Sequence, residues 1–294
     1  MFQNGLSTLL DQYDVFFFDL WGVTHNGKVP FPGALDSFKN LKKEGKAVFL
    51  LSNAPRMPEP AIAKLTEMGI DRDYYHDLYT SGYECHLHLK NRPNNFYQNL
   101  GHKLYHVGPE RDRNLFTPLR EYTPVSKIEE ADFLLVTGTD VWDRTLESYQ
   151  DELNQALKHN LPLVCANPDK RVMHGEDTVI CSGAIASKYK DMGGTVCLHG
   201  KPDPIVYQVL HSITNETLDK NIDKSRILMI GDSLATDIAG ANAYGIDSLM
   251  VLSGIHGSHL LPHLSEKELF QEKLETLSQE HNSHPTYVME RVYW

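Results

Sequence analysis

Three aspartates far apart in the chain, Asp19, Asp232 and Asp237, are the residues whose type suits a hard divalent cation. Mg²⁺ takes oxygen ligands and keeps several waters, so one or two carboxylates plus a substrate phosphate suffice to hold it. Ser52 and Asn53 add a hydroxyl and backbone N–H groups that can receive phosphate oxygens, and Lys201, in Gly200-Lys201-Pro202, adds a fixed cation. Phosphoryl transfer needs mainly positioning and charge neutralisation. An aspartate carboxylate can also act as the nucleophile, through an aspartyl-phosphate. Together these residues predict a Mg²⁺-dependent phosphate-handling site. Asp237 has a second explanation, because it falls early in an expected helix, where the dipole favours a carboxylate whatever its function.

The elements around these residues must bring them together. Residues 13–18 form a short, nearly continuous apolar run rich in Phe and Val, which predicts a strand buried on both faces and ending at Asp19. Residues 47–51 predict a second buried strand, ending at Ser52 and Asn53, and residues 227–230 a third, ending at Asp232. Helices are expected over 34–44, 59–68, 234–244 and 266–280, with Gly45, Gly69 and Gly245 ending the first three. Asp203 can cap a helix whose first position is Pro204. Residues 248–252 predict a fourth strand, and the aromatic tail 286–294 an edge strand. Alternating strands and helices predict a doubly wound parallel α/β sheet. In such sheets ligands bind at the C-terminal ends of the strands, where the polar residues above fall.

The middle of the chain differs in style. It begins with a polar stretch, Asn91-Arg92-Pro93-Asn94-Asn95, and has its own strand candidates at 103–107, 133–136 and 161–165 and a helix at 146–158. We expect a core domain of residues 1–81 and 199–294, with an α/β domain of residues 82–198 inserted into it.

Composition excludes several function classes. The 294 residues carry a net charge of −11 and a sequence pI near 5.7, a surface that repels nucleic acid and anionic membranes. No apolar run approaches the roughly 18 residues of a membrane span. The four cysteines, Cys85, Cys165, Cys181 and Cys197, form no CxxC pair and predict reduced thiols in a cytoplasmic protein. Cys85, His86 and His88 cluster, but no second ligand pair has the spacing of a structural zinc site. The Arg111-Asp112-Arg113 stretch reads as solvated surface.

The segments Phe16-Phe17-Phe18-Asp19-Leu20-Trp21-Gly22-Val23, Leu50-Leu51-Ser52-Asn53, Gly200-Lys201-Pro202 and Gly231-Asp232-Ser233-Leu234-Ala235-Thr236-Asp237 resemble the four motifs of the haloacid dehalogenase (HAD) superfamily. His25-Asn26-Gly27, Tyr79-Thr80-Ser81-Gly82, Ala166-Asn167-Pro168-Asp169, Cys181-Ser182-Gly183-Ala184 and Val251-Leu252-Ser253-Gly254 resemble its class IIA branch, which includes nitrophenylphosphatase-like, phosphoglycolate and pyridoxal phosphatases. The resemblance implies Asp19 as nucleophile and Mg²⁺ ligand, and Ser52 and Asn53 as phosphate holders. It implies Lys201 as the cation that neutralises phosphate and orients Asp19. Asp232 and Asp237 would serve the metal, joined by the backbone carbonyl of Trp21. It also implies a substrate-facing cap loop at Asn167 and Asp169. Caps of this branch often mediate dimers, so a homodimer is an expectation.

One position departs from the pattern. Two residues after Asp19, most phosphatases of this superfamily carry a second Asp that protonates the leaving group and then activates water. Here it is Trp21, which can do neither. Such acid–base help is commonly worth about 10²–10⁴-fold in rate. Trp21 is either packing or part of the substrate pocket, and His25 is a candidate replacement acid. The expected function is hydrolysis of a small phosphorylated metabolite, slowed by this loss. The alternatives are a non-catalytic phosphometabolite-binding or regulatory protein, and a phosphotransferase.

Overall fold

The computed structural model describes residues 2–141, 144–174 and 177–294. The chain opens with β1 (Val15–Phe18), α1 (Ala34–Lys43), β2 (Ala47–Ser52), α2 (Pro58–Glu67) and β3 (Asp77–Thr80). It continues through α3 (Ser81–Asn91), α4 (Asn95–Gln98), β4 (Lys103–Val107), β5 (Thr123–Pro124), β6 (Phe133–Val136), α5 (Gln150–Lys158) and β7 (Leu163–Cys165). Then come β8 (Arg171–His174), β9 (Asp177–Ile180), α6 (Ser182–Asp191) and β10 (Val196–Leu198). It closes with α7 (Pro204–Leu218), β11 (Ile227–Gly231), α8 (Ala239–Tyr244), β12 (Asp247–Val251), α9 (Gly257–Leu260), α10 (Lys267–His281) and β13 (Tyr287–Met289).

Two parallel sheets result. The first has the order β13-β12-β11-β1-β2-β3, the second β10-β7-β6-β4-β5, and β8 and β9 pair as an antiparallel hairpin. The first is a doubly wound α/β sheet. The second is built from a chain segment inserted between β3 and α7, with its own helices.

Alternation along the central strands explains the layering. Val15 and Phe17 pack with Phe49, Met229 and Tyr207 in one apolar cluster. Phe16 and Phe18 pack with Phe38, Leu50 and Ile230 in another. Successive side chains of a strand point to opposite faces, so a strand that is apolar throughout must be covered twice. The inserted sheet repeats this, with Phe133 and Leu135 in one cluster and Leu134 and Val136 in the other.

Strand order locates the site. From β1 the chain winds to β2 and β3 on one side, and the later strands β11, β12 and β13 lie on the other. The switch point is the β1–β11 pair, in register Phe18 to Ile230, and both strands run directly into aspartates. This is where open α/β sheets form a crevice.

The structure adds elements not expected from the sequence: β3, α3, the β8–β9 hairpin and α6. β3 and the hairpin strands are four residues each and mix polar with apolar residues, so unlike the equally short but wholly apolar β1 and β6 they show neither a buried run nor a period. Helix α3 carries mixed polar and apolar residues, and its N-terminus is fixed by Thr80, whose side chain accepts from Tyr83 N–H at 3.1 Å. The expected tail strand forms as β13 at the sheet edge. Among the described residues, no helix is long and apolar enough to cross a membrane.

Asp14, just before β1, accepts from Arg226 Nε (2.8 Å) and Nη2 (2.8 Å) and from Lys46 Nζ (3.1 Å). The Arg226 hydrogen bonds, aided by Lys46, hold its carboxyl at about 2. A carboxyl depressed in the folded state contributes stability above its unfolded pKa of about 4, and that stability is lost as pH falls toward 2. Asp14→Asn is therefore expected to lower the urea midpoint near pH 6 and leave it close to wild type near pH 2. Equal differences at both pH values would refute this.

Candidate active site

Asp19 leaves β1 with its N–H bonded to Ile230 C=O (2.9 Å) and its carbonyl accepting from Thr24 Oγ1 (2.9 Å). The chain then coils tightly, with Thr24 N–H (2.9 Å) and His25 N–H (3.0 Å) both donating to Leu20 C=O. It returns as a small flap closed by Phe31 N–H to Thr24 C=O at 3.0 Å. Gly22 in this coil has φ +82°, and a Cβ there would enter the Asp232 carboxylate. Both constraints favour glycine.

Asp237 is placed by an irregular helix start. Residues Leu234–Ile238 form a π-turn, with Ile238 N–H reaching Ser233 C=O (3.1 Å), before α8 begins. Such bulges recur at functional sites. Here the turn aims the Asp237 carboxylate back at its own N-terminus. Oδ2 accepts the N–H groups of Asp232 and Ser233, each at 3.1 Å. Asp232 Oδ2 accepts from Ile255 N–H at 2.8 Å.

Lys201 is 2% exposed and joins the aspartates. Its Nζ donates to Asp19 Oδ1 at 2.5 Å, Asp237 Oδ1 at 2.7 Å and Leu51 C=O at 3.1 Å, the full capacity of an ammonium. Carboxylate oxygens of Asp19, Asp232 and Asp237 all lie within 4.8 Å of one another. Burial raises Asp19 to about 7 against the pull of Lys201, with the Asp237 charge adding to the rise. Burial, then Asp237 and Asp19, pushes Asp232 well above the usual carboxylate range. Burial works against the Lys201 charge, but Asp19 and Asp237 outweigh it and hold the ammonium well above its usual value. Three buried carboxylates against one ammonium leave negative charge uncompensated, which is costly in a poorly solvated site. An all-oxygen donor set with excess negative charge fits a hard divalent cation.

Asp19, Trp21, His25, Ser52, Asn53, Asn167, Asp169, Lys201, Asp232 and Asp237 all line one cleft of about 1310 Å³, including its open mouth. Ser52 is buried, and its Oγ accepts from Ala54 N–H (3.2 Å). The Asn53 side chain is more engaged than expected. Its Oδ1 accepts from Lys201 N–H (2.8 Å), and its Nδ2 donates to Asp169 Oδ1 (2.8 Å) and Lys201 C=O (3.2 Å). It therefore ties the second strand end to both the lysine loop and the inserted segment. Asn167 Oδ1 accepts from Asp169 N–H at 2.8 Å, which shapes that loop. Burial raises Asp169 to about 6, with Lys201 and Asn53 opposing.

Trp21 is half-buried and edge-on to His25, with ring centroids 5.4 Å apart. Gly27 passes against the indole, and a Cβ there would enter the ring. His25 Nδ1 accepts from Gly27 N–H (3.0 Å), which places its proton on Nε2. Burial, then Lys64, lowers His25 to about 4. It is neutral at pH 7 and so lacks the imidazolium that a replacement acid would use.

One sequence expectation is corrected. Arg111-Asp112-Arg113 is not uniformly solvated surface: Asp112 is 1% exposed, and Arg111 and Asp112 line the cleft. Asp112 Oδ1 lies 3.2 Å from Arg56 Nε, an ion pair between the inserted segment and the loop after β2. Burial raises Asp112 to about 6 against the Arg56 charge. Arg56, Arg171 and Lys64 also line the cleft and escaped sequence reasoning. A single basic residue in a loop (Arg56), on α2 (Lys64) or at the start of β8 (Arg171) belongs to no motif and gives no periodic signal.

Comparison with known proteins agrees with this geometry. A family model described as haloacid dehalogenase-like hydrolase matches residues 16–119, and a second, HAD-hydrolase-like, matches residues 198–292. The chain belongs to the haloacid dehalogenase superfamily. The two matches leave residues 120–197 of the inserted segment between them and contain Asp19, Ser52, Lys201, Asp232 and Asp237. The chain is 26% identical to a D-glycerol 3-phosphate phosphatase of Mycobacterium tuberculosis over 254 residues, 86% of this chain and 67% of that protein. A glycerol phosphate phosphatase from that organism, solved with magnesium, shares the fold at TM-score 0.62 and 24% identity, covering 84% of this chain and 70% of that one. An acid sugar phosphatase of Staphylococcus aureus is 25% identical over 84% of this chain and 89% of its own length. The structure of a haloacid dehalogenase-like hydrolase from Brucella suis has TM-score 0.83 and 28% identity, covering 99% of both chains. These relatives place this hydrolase with the class IIA phosphatases of the superfamily.

Proposed function

We propose that this hydrolase is a Mg²⁺-dependent phosphatase of a small phosphorylated metabolite, working through an aspartyl-phosphate on Asp19. The observation that carries this reading is the buried Lys201 ammonium, 2.5 Å from Asp19 and 2.7 Å from Asp237, beside a third carboxylate at the switch point of the sheet. Asp19, Asp232 and Asp237, with the Trp21 carbonyl, would hold Mg²⁺. The ion would supply charge neutralisation for the phosphate and for Asp19.

The chain's own residues divide the remaining work. Lys201 opposes the burial that raises Asp19 and orients its carboxylate toward the cleft. An Asp19 oxygen attacks phosphorus as the ester P–O bond breaks, and the leaving oxygen takes its proton from solvent. Ser52 and the Asn53 backbone N–H receive the phosphoryl oxygens. Water then attacks phosphorus, the P–O bond to Asp19 breaks, and inorganic phosphate leaves. Residues 82–198, with Asn167 and Asp169 facing the cleft, act as the cap that excludes water and selects the substrate. Arg56, Arg111 and Arg171 offer cations to anionic parts of a substrate beyond the phosphate. The four free cysteines agree with a reducing, cytoplasmic setting.

One observation favours a second reading, phosphometabolite binding without turnover: the acid–base position is filled by an indole packed against His25 and Gly27. Mg²⁺-dependent phosphate release from a metabolite panel, run on wild type and Asp19→Asn, separates the two. Release no faster than in Asp19→Asn would sink the phosphatase reading. Stabilisation by a metabolite without release would support the second.

Trp21→Asp tests the missing proton shuttle. Restoring a carboxylate two residues after Asp19 is expected to raise steady-state phosphate release from alkyl phosphates by about 10²-fold. The gain is smaller for p-nitrophenyl phosphate, whose leaving group needs no acid. An unchanged rate on both would assign the indole to substrate binding instead.

A further inference from the structure

Outside the cleft, a second group of ligand-type side chains meets where α3 passes the end of β10. Glu84 and His88 sit one turn apart on α3, and His199 follows β10, two residues before Lys201. Glu84 and His199 are buried, and His88 is half-buried. One ligand atom from each lies within 4.8 Å of the other two. None of the three lines the phosphate cleft.

The hydrogen bonds around this group orient it. His88 Nδ1 is 2.9 Å from the Glu84 carbonyl, one turn back on the helix, so Nδ1 carries the proton and Nε2 carries the lone pair. His199 Nε2 is paired with the Tyr97 hydroxyl, which leaves Nδ1 facing Glu84. Metal-bound histidines characteristically have their other ring nitrogen held by a carbonyl, carboxylate or similar partner, which fixes the tautomer. The Glu84 carbonyl fixes the His88 tautomer, and the Tyr97 hydroxyl, which can donate or accept, holds the His199 ring in place.

The separation is also informative. His199 Nδ1 lies 3.4 Å from Glu84 Oε2. A charge-assisted hydrogen bond would draw these atoms to about 2.7–2.9 Å. Tetrahedral zinc, with bonds of about 2.0–2.1 Å, sets neighbouring ligand atoms about 3.3–3.4 Å apart. Glu84 Oε2 also accepts from Gly200 N–H at 2.8 Å, so the carboxylate is itself anchored to the lysine loop.

We propose that Glu84, His88 and His199 form a second metal site, selective for a borderline transition ion such as Zn²⁺ and separate from the carboxylate site. Two imidazoles and one carboxylate suit Zn²⁺, whereas the all-oxygen set of Asp19, Asp232 and Asp237 suits Mg²⁺. Three protein ligands leave a fourth position for water. The ion would clamp α3 to the segment joining β10 to Gly200 and Lys201, and so brace the catalytic lysine loop from behind.

The test is calorimetric titration of ZnCl₂ into chelator-stripped full-length protein held in saturating Mg²⁺. A histidine-dependent binding event is expected, weakened about 100-fold or more in His88→Ala and His88→Gln but retained in Asp232→Asn. No Zn²⁺ uptake by wild type, or an unaltered titration in both His88 variants, would overturn the proposal. The visible spectrum of the Co²⁺-loaded wild type gives a check that needs no variant. Intense bands of a four-coordinate, nitrogen-containing site are expected. A weak octahedral spectrum alone would refute the site.

Discussion

Asp19→Asn is expected to lower Mg²⁺-dependent phosphate release by about 10³-fold or more, because it removes the attacking oxygen rather than a supporting contact. The substitution should leave the fold intact. Its amide oxygen can still accept from Lys201, and Lys201 keeps Asp237 and the Leu51 carbonyl as partners. Removing a carboxylate also lightens a buried group that holds more negative than positive charge. The variant is therefore expected to melt at or above the wild-type temperature in metal-free buffer while losing activity. Loss of both activity and stability would point to a structural role for Asp19. The decisive measurement is phosphate release paired with thermal unfolding of the same preparations, without which a folding defect could pass for loss of the nucleophile.

Lys201→Met is expected to give the largest stability effect. It removes the cation that Asp19 and Asp237 share and leaves their carboxylates buried without it. Breaking a buried ion pair by deleting one partner costs about 3–5 kcal/mol. The loss should be greatest in chelator and partly recovered in Mg²⁺, since a divalent cation offsets the same charge and binds only the folded site. Denaturant melts of wild type and variant, each with and without Mg²⁺, give the comparison. A Mg²⁺ increment no larger in Lys201→Met than in wild type would mean that the ion and the lysine do not serve the same carboxylates. Activity should fall with stability, because Asp19 loses its orienting partner. Asp237→Asn, which leaves Lys201 paired with Asp19, should cost less.

Much of this architecture was legible in the chain. β1, β2 and β11 are buried on both faces, so they are apolar throughout and end abruptly at polar residues. That abruptness marks Asp19, Ser52 and Asp232 in the sequence alone. The glycines after α1 and α8 and the Asp203 cap of α7 were legible for the same reason, since backbone conformation there restricts residue type. The short elements were not. The four-residue β3 and the strands of the β8–β9 hairpin mix polar with apolar residues where β1 is apolar throughout, and α3 mixes polar and apolar residues on its faces.

The sequence by itself determined the inventory: three aspartates, a lysine before a proline, a serine at a strand end, and an indole where an acid would be expected. Local backbone preference and burial pattern carry that information, because both act on neighbouring residues. Only the tertiary structure decided which charges meet. It set Lys201 between Asp19 and Asp237, turned Asn53 toward Asp169, buried Asp112 against Arg56, and brought His199 to Glu84 and His88. These partners lie tens to nearly two hundred residues apart. No local term couples them, so their pairing follows from the crossover connections that set the strand ends side by side and from the burial of the charges that meet there.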